Sequence, residues 1–131
     1  MKSCREDRVT ERSLVSVVDD DESVRESLPD LLREFGFVAQ AFSSAEEFLE
    51  SESAGQTKCL ILDMKMPGMC GLDLQRELKR RGQEIPTIVI TAQKDEALWA
   101  RAFEQGAVRF LYKPFSDTAL LEALEAALQA S

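Results

Sequence analysis

Five short apolar segments, alternating with five helical patterns, constrain this chain more than any other feature. Residues 14–18 are valine-rich and stop abruptly at Asp19-Asp20-Asp21-Glu22, and residues 37–41 form a second short run. Residues 59–62 end on Asp63, residues 86–90 are nearly all β-branched and close at Thr91, and residues 108–112 lead into Lys113-Pro114. Continuous apolar runs bounded this sharply read as strands buried on both faces. Between the first two, Val24, Leu28, Leu31, Leu32 and Phe35 recur at helical spacing and Gly36 stops the pattern. Pro29 falls inside it and predicts a kink or a late helix start. Ser43 and Glu46 have the form of a capping box opening a helix with Phe48 and Leu49, and residues 51–58 read as a loop. Helices follow over 71–81 and 95–105, and a last one is capped by Ser116 and bears Leu120, Leu121, Leu124 and Leu128. Strands alternating with helices in this way predict an α/β domain, a parallel sheet with helices on both faces.

Composition limits what such a domain can do. The 131 residues suit one domain, with residues 1–13 as a polar tail, expected to be flexible, and 14–131 as the folded part. Lys and Arg number 16 and Asp and Glu 24, so the formal charge is 16 − 24 = −8, a poor balance for gripping a phosphate backbone, and no direct nucleic-acid binding is expected. The chain has no histidine, which excludes Ser-His-Asp and Cys-His catalysis and His-ligated zinc within it. The charged N-terminus has no apolar core of a secretory signal, and no stretch approaches the ~20 apolar residues of a membrane helix. Cys4, Cys59 and Cys70 form no CxxC pair, which suits a reducing cytoplasm.

The strand ends carry the chemistry. Ligands of open α/β sheets bind beyond the carboxyl ends of the strands. Neighbouring first, third, fourth and fifth strands would gather Asp19, Asp20, Asp63, Thr91 and Lys113 at one edge. Three clustered carboxylates need counter-charge. Lys113 supplies one, and a hard cation that prefers oxygen, Mg²⁺ with Mn²⁺ as an alternative, supplies the rest. A carboxylate beside Mg²⁺ can attack a phosphoryl group, whose oxygens a lysine and a hydroxyl can hold.

These residues sit in segments that resemble the receiver domain of two-component response regulators: VVDDDES (17–23), LDMKMPGMCGLDL (62–74), VITA (89–92) and GAVRFLYKPF (106–115). The joint presence of all four at these separations makes the resemblance specific. It implies a three-layer, flavodoxin-like (βα)5 fold with a five-stranded parallel sheet in the order 2-1-3-4-5. It implies that Asp63 accepts a phosphoryl group from a sensor histidine kinase. Asp19, Asp20, Asp63 and the backbone carbonyl of Lys65 would hold the metal, and Thr91 and Lys113 the phosphoryl oxygens. The Lys113–Pro114 bond is expected to be cis. Thr91 and Phe110 would form a switch that repacks the surface of the fourth helix, fifth strand and fifth helix. That change would reach an output domain or partner, with transcription regulation as the expected outcome and a phosphorylation-dependent homodimer as one form.

The domain is then no enzyme beyond taking up its own phosphoryl group and losing it slowly. Trp99, Phe110 and Tyr112 are candidates for the partner surface, although Trp99 reads equally well as a half-buried packing residue. Two other functions compete. A haloacid-dehalogenase-type phosphatase would use the D-x-D formed by Asp19 and Asp21, but the chain is short for that fold and Asp63 would have no role. A pseudo-receiver that never takes phosphate would not need all five site residues. Whether the chain acts alone or belongs to a regulator with a helix-turn-helix DNA-binding output domain stays open, with GAVRFLYKPF and MPGMCG favouring the second.

Overall fold

A computed structural model describes residues 13–64, 66, 68–92 and 95–130. Strand β1 (Leu14–Val18) is followed by α1 (Glu22–Glu34), β2 (Val38–Phe42), α2 (Ala45–Glu50), a 3₁₀ turn (Glu52–Gln56) and β3 (Thr57–Asp63). Then come α3 (Gly71–Arg80), β4 (Thr87–Thr91), α4 (Glu96–Glu104), β5 (Ala107–Tyr112) and α5 (Asp117–Ala130). The five strands form one parallel sheet in the order β2-β1-β3-β4-β5. This is the doubly wound, flavodoxin-like order expected.

Strand periodicity sorts the core into two layers. Val15 and Val17, Cys59 and Ile61, and Ile88 and Ile90 face one side, where they meet Leu28 and Leu32 of α1 and Leu120 and Leu124 of α5. Val18, Leu60 and Leu62 face the other and pack on Phe48 of α2 and Leu74 and Leu78 of α3. Val89 continues that second side toward Leu72 of α3 and Ala102 of α4. Each fully buried aliphatic side chain contributes roughly 1.5–3 kcal/mol of transfer free energy, so β1, β3 and β4 anchor the fold. Among the described residues, no helix is long and apolar enough to cross a membrane.

Three local expectations need correction. The α2 cap is Ser44, not Ser43: its side chain accepts from the Glu47 N–H at 3.0 Å, while Glu47 Oε1 accepts from the Ser43 N–H at 2.6 Å. Glu46 is released from capping and instead accepts from the Met69 N–H at 3.3 Å. Helix α1 does not start late: it begins at Glu22, capped by Asp21, and runs through a buried Pro29. The segment read as a loop holds the 3₁₀ turn and the start of β3. There Thr57 Oγ1 donates to the Ser53 carbonyl at 2.6 Å and lies 2.7 Å from Ser16 Oγ. That buried hydroxyl pair explains the polar residue in the middle of β1. The segment before β1 is represented by Ser13, which is buried and whose carbonyl accepts from the Val38 N–H.

Candidate functional site at the carboxyl edge of the sheet

The strand register brings the carboxyl ends of β1, β3, β4 and β5 level. Val18 pairs with Leu62, Asp63 with Ile90 and Thr91 with Tyr112. Backbone bonds extend the ladder past the strands: Asp19 N–H to the Phe42 carbonyl, Met64 N–H to Ile90 and Lys113 N–H to Thr91. Asp19, Asp63, Thr91 and Lys113 are therefore delivered by ladder-bonded backbone, which holds a polar constellation more tightly than loops can.

Asp19, Asp20 and Asp63 each turn a carboxylate oxygen into one cluster, with these atoms all within 4.8 Å of one another. Asp19 is fully buried, Asp63 nearly so, and Asp20 is exposed. Lys113 reaches in from the end of β5, with Nζ 2.9 Å from Asp19 Oδ2 and 3.8 Å from Asp63 Oδ2. The nearer contact pairs the ammonium directly with the buried Asp19 carboxylate. The other oxygen, Asp19 Oδ1, accepts from the Asp21 N–H at 2.9 Å. Burial is the largest single influence on Lys113 and pulls its pKa down. The bond and charge of Asp19, then the charges of Asp63 and Asp21, together outweigh burial and raise the ammonium pKa above its ordinary value.

Three carboxylates against one ammonium leave a formal charge of −3 + 1 = −2 in this cluster. The donors are all oxygen and together carry more negative charge than Lys113 offsets, so the residues fit a hard divalent cation such as Mg²⁺. Lys65, expected to add its carbonyl, lies outside the described residues. Thr91 is buried at the end of β4, and the Lys113–Pro114 peptide bond is cis.

Some contributors gave no motif. Arg25 on α1 donates from Nη1 to the Asp19 carbonyl at 3.1 Å and braces the acidic loop from behind. A cation in the first turns of a helix opposes the helix dipole, and that misplacement is the signal a reader could have used. Gly71, the first residue of α3, donates to the Met64 carbonyl, and a Cβ there would lie 2.7 Å from the Asp63 carbonyl oxygen. Asp21 stands outside the cluster as the α1 cap, bonded to Ser23, which holds its carboxyl below the usual range. This leaves the D-x-D of a phosphatase with its second acid committed to a helix end.

The aromatic candidates meet on one surface. Trp99 of α4 packs edge-on against Phe110 at 5.3 Å between ring centroids and against Tyr112 at 5.5 Å, and Phe103 joins Phe110 at 5.5 Å. Phe103 is about half exposed (47%), while the indole Nε1 of Trp99 is buried without a hydrogen-bond partner. Sequence reading passed over Phe103, since one phenylalanine on a helix reads as core.

Comparison with known proteins agrees with this geometry. The sequence pattern of the response regulator receiver domain matches residues 15–125. Nodulation protein W of Bradyrhizobium diazoefficiens is 47% identical over 118 residues, covering 90% of this chain and 52% of that protein. The transcriptional regulatory protein FixJ of Azorhizobium caulinodans is 41% identical over 114 residues, covering 87% of this chain and 54% of its own length. The solved structure of the response regulator StyR superimposes with a TM-score of 0.84 at 48% identity, covering 91% of this chain and 60% of that one. The chain thus spans about half the length of the curated relatives it matches. On pattern, relatives and topology alike, this chain belongs to the response regulator receiver domain family.

Proposed function

We propose that the domain is a phosphorylation-controlled switch in which Asp63 takes the phosphoryl group of a phosphohistidine on a sensor kinase. A carboxylate oxygen of Asp63 forms the new P–O bond, the P–N bond breaks, and the imidazole leaves with the electron pair. Asp19, Asp20 and Asp63, with the Lys65 carbonyl, hold Mg²⁺. When bound, the ion offsets the charge of the carboxylates and of the incoming phosphoryl oxygens. Lys113 pairs with one phosphoryl oxygen and the Thr91 hydroxyl donates to another. With no histidine in the chain, the donor imidazole comes from another domain or protein.

The observation that carries this reading is the three-carboxylate cluster with Lys113 Nζ set between Asp19 and Asp63. Movement of Thr91 toward the phosphoryl group would free space for Phe110, which packs against the cluster that includes Val89 and Ala102, and so repack Trp99 and Tyr112 on the α4–β5–α5 surface. Phosphorylation then selects an arrangement by contacts made only there. The output is a further domain or partner acting in the cytoplasm, with transcription as the regulated process and a phosphorylation-dependent homodimer as one means. The domain also loses its phosphoryl group to water by its own slow hydrolysis.

Incubation with Mg²⁺ and acetyl phosphate, followed by intact-mass measurement, should show one phosphoryl adduct. It should vanish in Asp63→Asn and on chelation. No adduct on the native chain, or one that survives Asp63→Asn, overturns the reading.

A further inference from the structure

The peptide on each side of Asp20 is held by a bond of its own. Before it, the Asp19 carbonyl accepts from Arg25 Nη1 at 3.1 Å. After it, the Asp21 N–H donates to Asp19 Oδ1 at 2.9 Å. The Asp19 N–H is tied in turn to the Phe42 carbonyl of β2, and the Asp21 carbonyl accepts from the Val24 and Arg25 N–H groups of α1. Peptides are planar, so φ and ψ of Asp20 lie between two pinned planes, and these contacts set the direction of its side chain. The Asp20 carboxylate is exposed and, among the described residues, has no hydrogen bond or ion pair of its own, yet it joins the cluster with Asp19 and Asp63. Its placement is therefore carried by the backbone.

Arg25 is placed against two local preferences. Its charge lies in the first turns of α1, where the helix dipole disfavours a cation. Four acids, Asp19, Asp20, Asp21 and Glu22, stand within six residues of it, yet among the described residues its guanidinium forms no ion pair and bonds to a neutral carbonyl. A charge-assisted bond to a carboxylate would be the stronger one. Contact with the carbonyl fixes the backbone without neutralising an acid, so the three carboxylates keep their charge for a cation.

We propose that Arg25 is a positioning residue of the metal site, fixing the peptide ahead of Asp20 and so setting the preference of the cluster for Mg²⁺ over larger divalent cations. Mg²⁺ demands near-ideal octahedral geometry at about 2.0–2.1 Å, whereas Ca²⁺ accepts flexible geometry at about 2.3–2.6 Å. A carboxylate on a pinned backbone meets the first demand, and a loosened one still meets the second. Charge alone predicts the opposite sign, because removing a cation beside a cation site strengthens the binding of any divalent ion. The inference rests on the metal reading given above and on no step of phosphoryl transfer.

The test is a pair of ¹H–¹⁵N NMR titrations, with Mg²⁺ and with Ca²⁺, of the native chain and of Arg25→Met, followed at the Asp20 and Asp21 amides. Methionine keeps an unbranched stem and drops both the donor and the charge. The Mg²⁺ Kd of Arg25→Met should rise about tenfold or more, the range for losing a group that orients a metal ligand. The Ca²⁺ Kd should change by less than about threefold. The melting temperature in chelator should be native or higher, since α1 loses a misplaced cation. Arg25→Ala takes the place of Arg25→Met if the latter does not fold. Unchanged or tighter Mg²⁺ binding in the folded variant, or equal losses for the two ions, would overturn this inference and leave the metal reading standing. So would a loss of Mg²⁺ affinity that comes only with a lowered melting temperature. Absence of saturable Mg²⁺ shifts in the native chain would overturn that reading and this inference together.

Discussion

At the scale of single residues, the acidic cluster depends on one missing methyl group. Gly71 sits where a Cβ would lie 2.7 Å from the Asp63 carbonyl oxygen and 3.0 Å from Met64 Cα. Both neighbours are backbone, and neither can turn aside as a side chain could. Gly71→Ala must move α3 away from the end of β3 and carry the loop behind Asp63 with it. Gly55 is the matched control, since a Cβ there meets only Gln83 Nε2 at 3.9 Å and its φ is not left-handed. Gly71→Ala should lower stability by about 1–3 kcal/mol, the range for overpacking, and slow adduct formation with acetyl phosphate. Gly55→Ala should leave adduct formation unchanged and match or exceed native stability, by about 0.4–1 kcal/mol, through a less flexible unfolded chain. Urea unfolding of the two variants checks both signs. Equal stability of Gly71→Ala and the native chain would mean that α3 is free to shift.

Among elements, α3 shows what local pattern reveals and what it conceals. Its start after the Pro67-Gly68 pair and its buried leucines were readable, because helical spacing and turn residues are local signals. Its close approach to Asp63 was not, because distance across a packed interface leaves no mark in a spacing rule. The same limit explains the α2 cap: Ser43-Ser44 and Glu46-Glu47 offer two capping boxes one residue apart, and only the path of the chain out of β2 chooses between them. Asp19, Asp63, Thr91 and Lys113 were legible as a group because each ends an apolar run, and parallel strands align their ends. Arg25 and Phe103 were not, since each acts across elements.

The end of α3 allows a clean electrostatic test. Glu77 accepts from Arg80 at 3.0 and 2.6 Å and from Arg81 at 2.7 Å, and these bonds hold its pKa at about 2. A depressed carboxyl stabilises the fold above its ordinary value of 4.5, and the gain is lost as pH falls through the folded value. The group is at the surface, so solvent and salt weaken the effect on stability, and the titration itself is the sharper observable. NMR titration should place Glu77 near 2 in the native chain and move it toward 4.5 in Arg80→Ala/Arg81→Ala. A Glu77 titration near 4.5 in the native chain would show that the pairs do not persist in solution.

At the scale of the whole molecule, the −8 charge is unevenly distributed in its effect. Most acids lie on solvated helix faces, where repulsion is screened. Asp19 and Asp63 are buried beside each other, Asp20 lies within reach, and Lys113 is the cation that the described residues set between them. On the function proposed above, a divalent cation would relieve the repulsion at this edge, a trade between stability and function seen at many sites. Asp20 is the acid to remove, because it is the exposed member of the cluster. In chelator, Asp20→Asn should unfold at a higher temperature than the native chain, by roughly 3–5 °C for a gain of about 1 kcal/mol. Added Mg²⁺ should reverse the order. A ligand at ten times its Kd stabilises by about 1.4 kcal/mol, and the native chain should gain this at Mg²⁺ concentrations where Asp20→Asn gains little. Thermal unfolding by circular dichroism across a Mg²⁺ series reads both limbs. Curves for the two proteins that rise in parallel would remove Asp20 from the metal site, and a lower melting temperature for Asp20→Asn in chelator would show that the cluster is not under repulsive load.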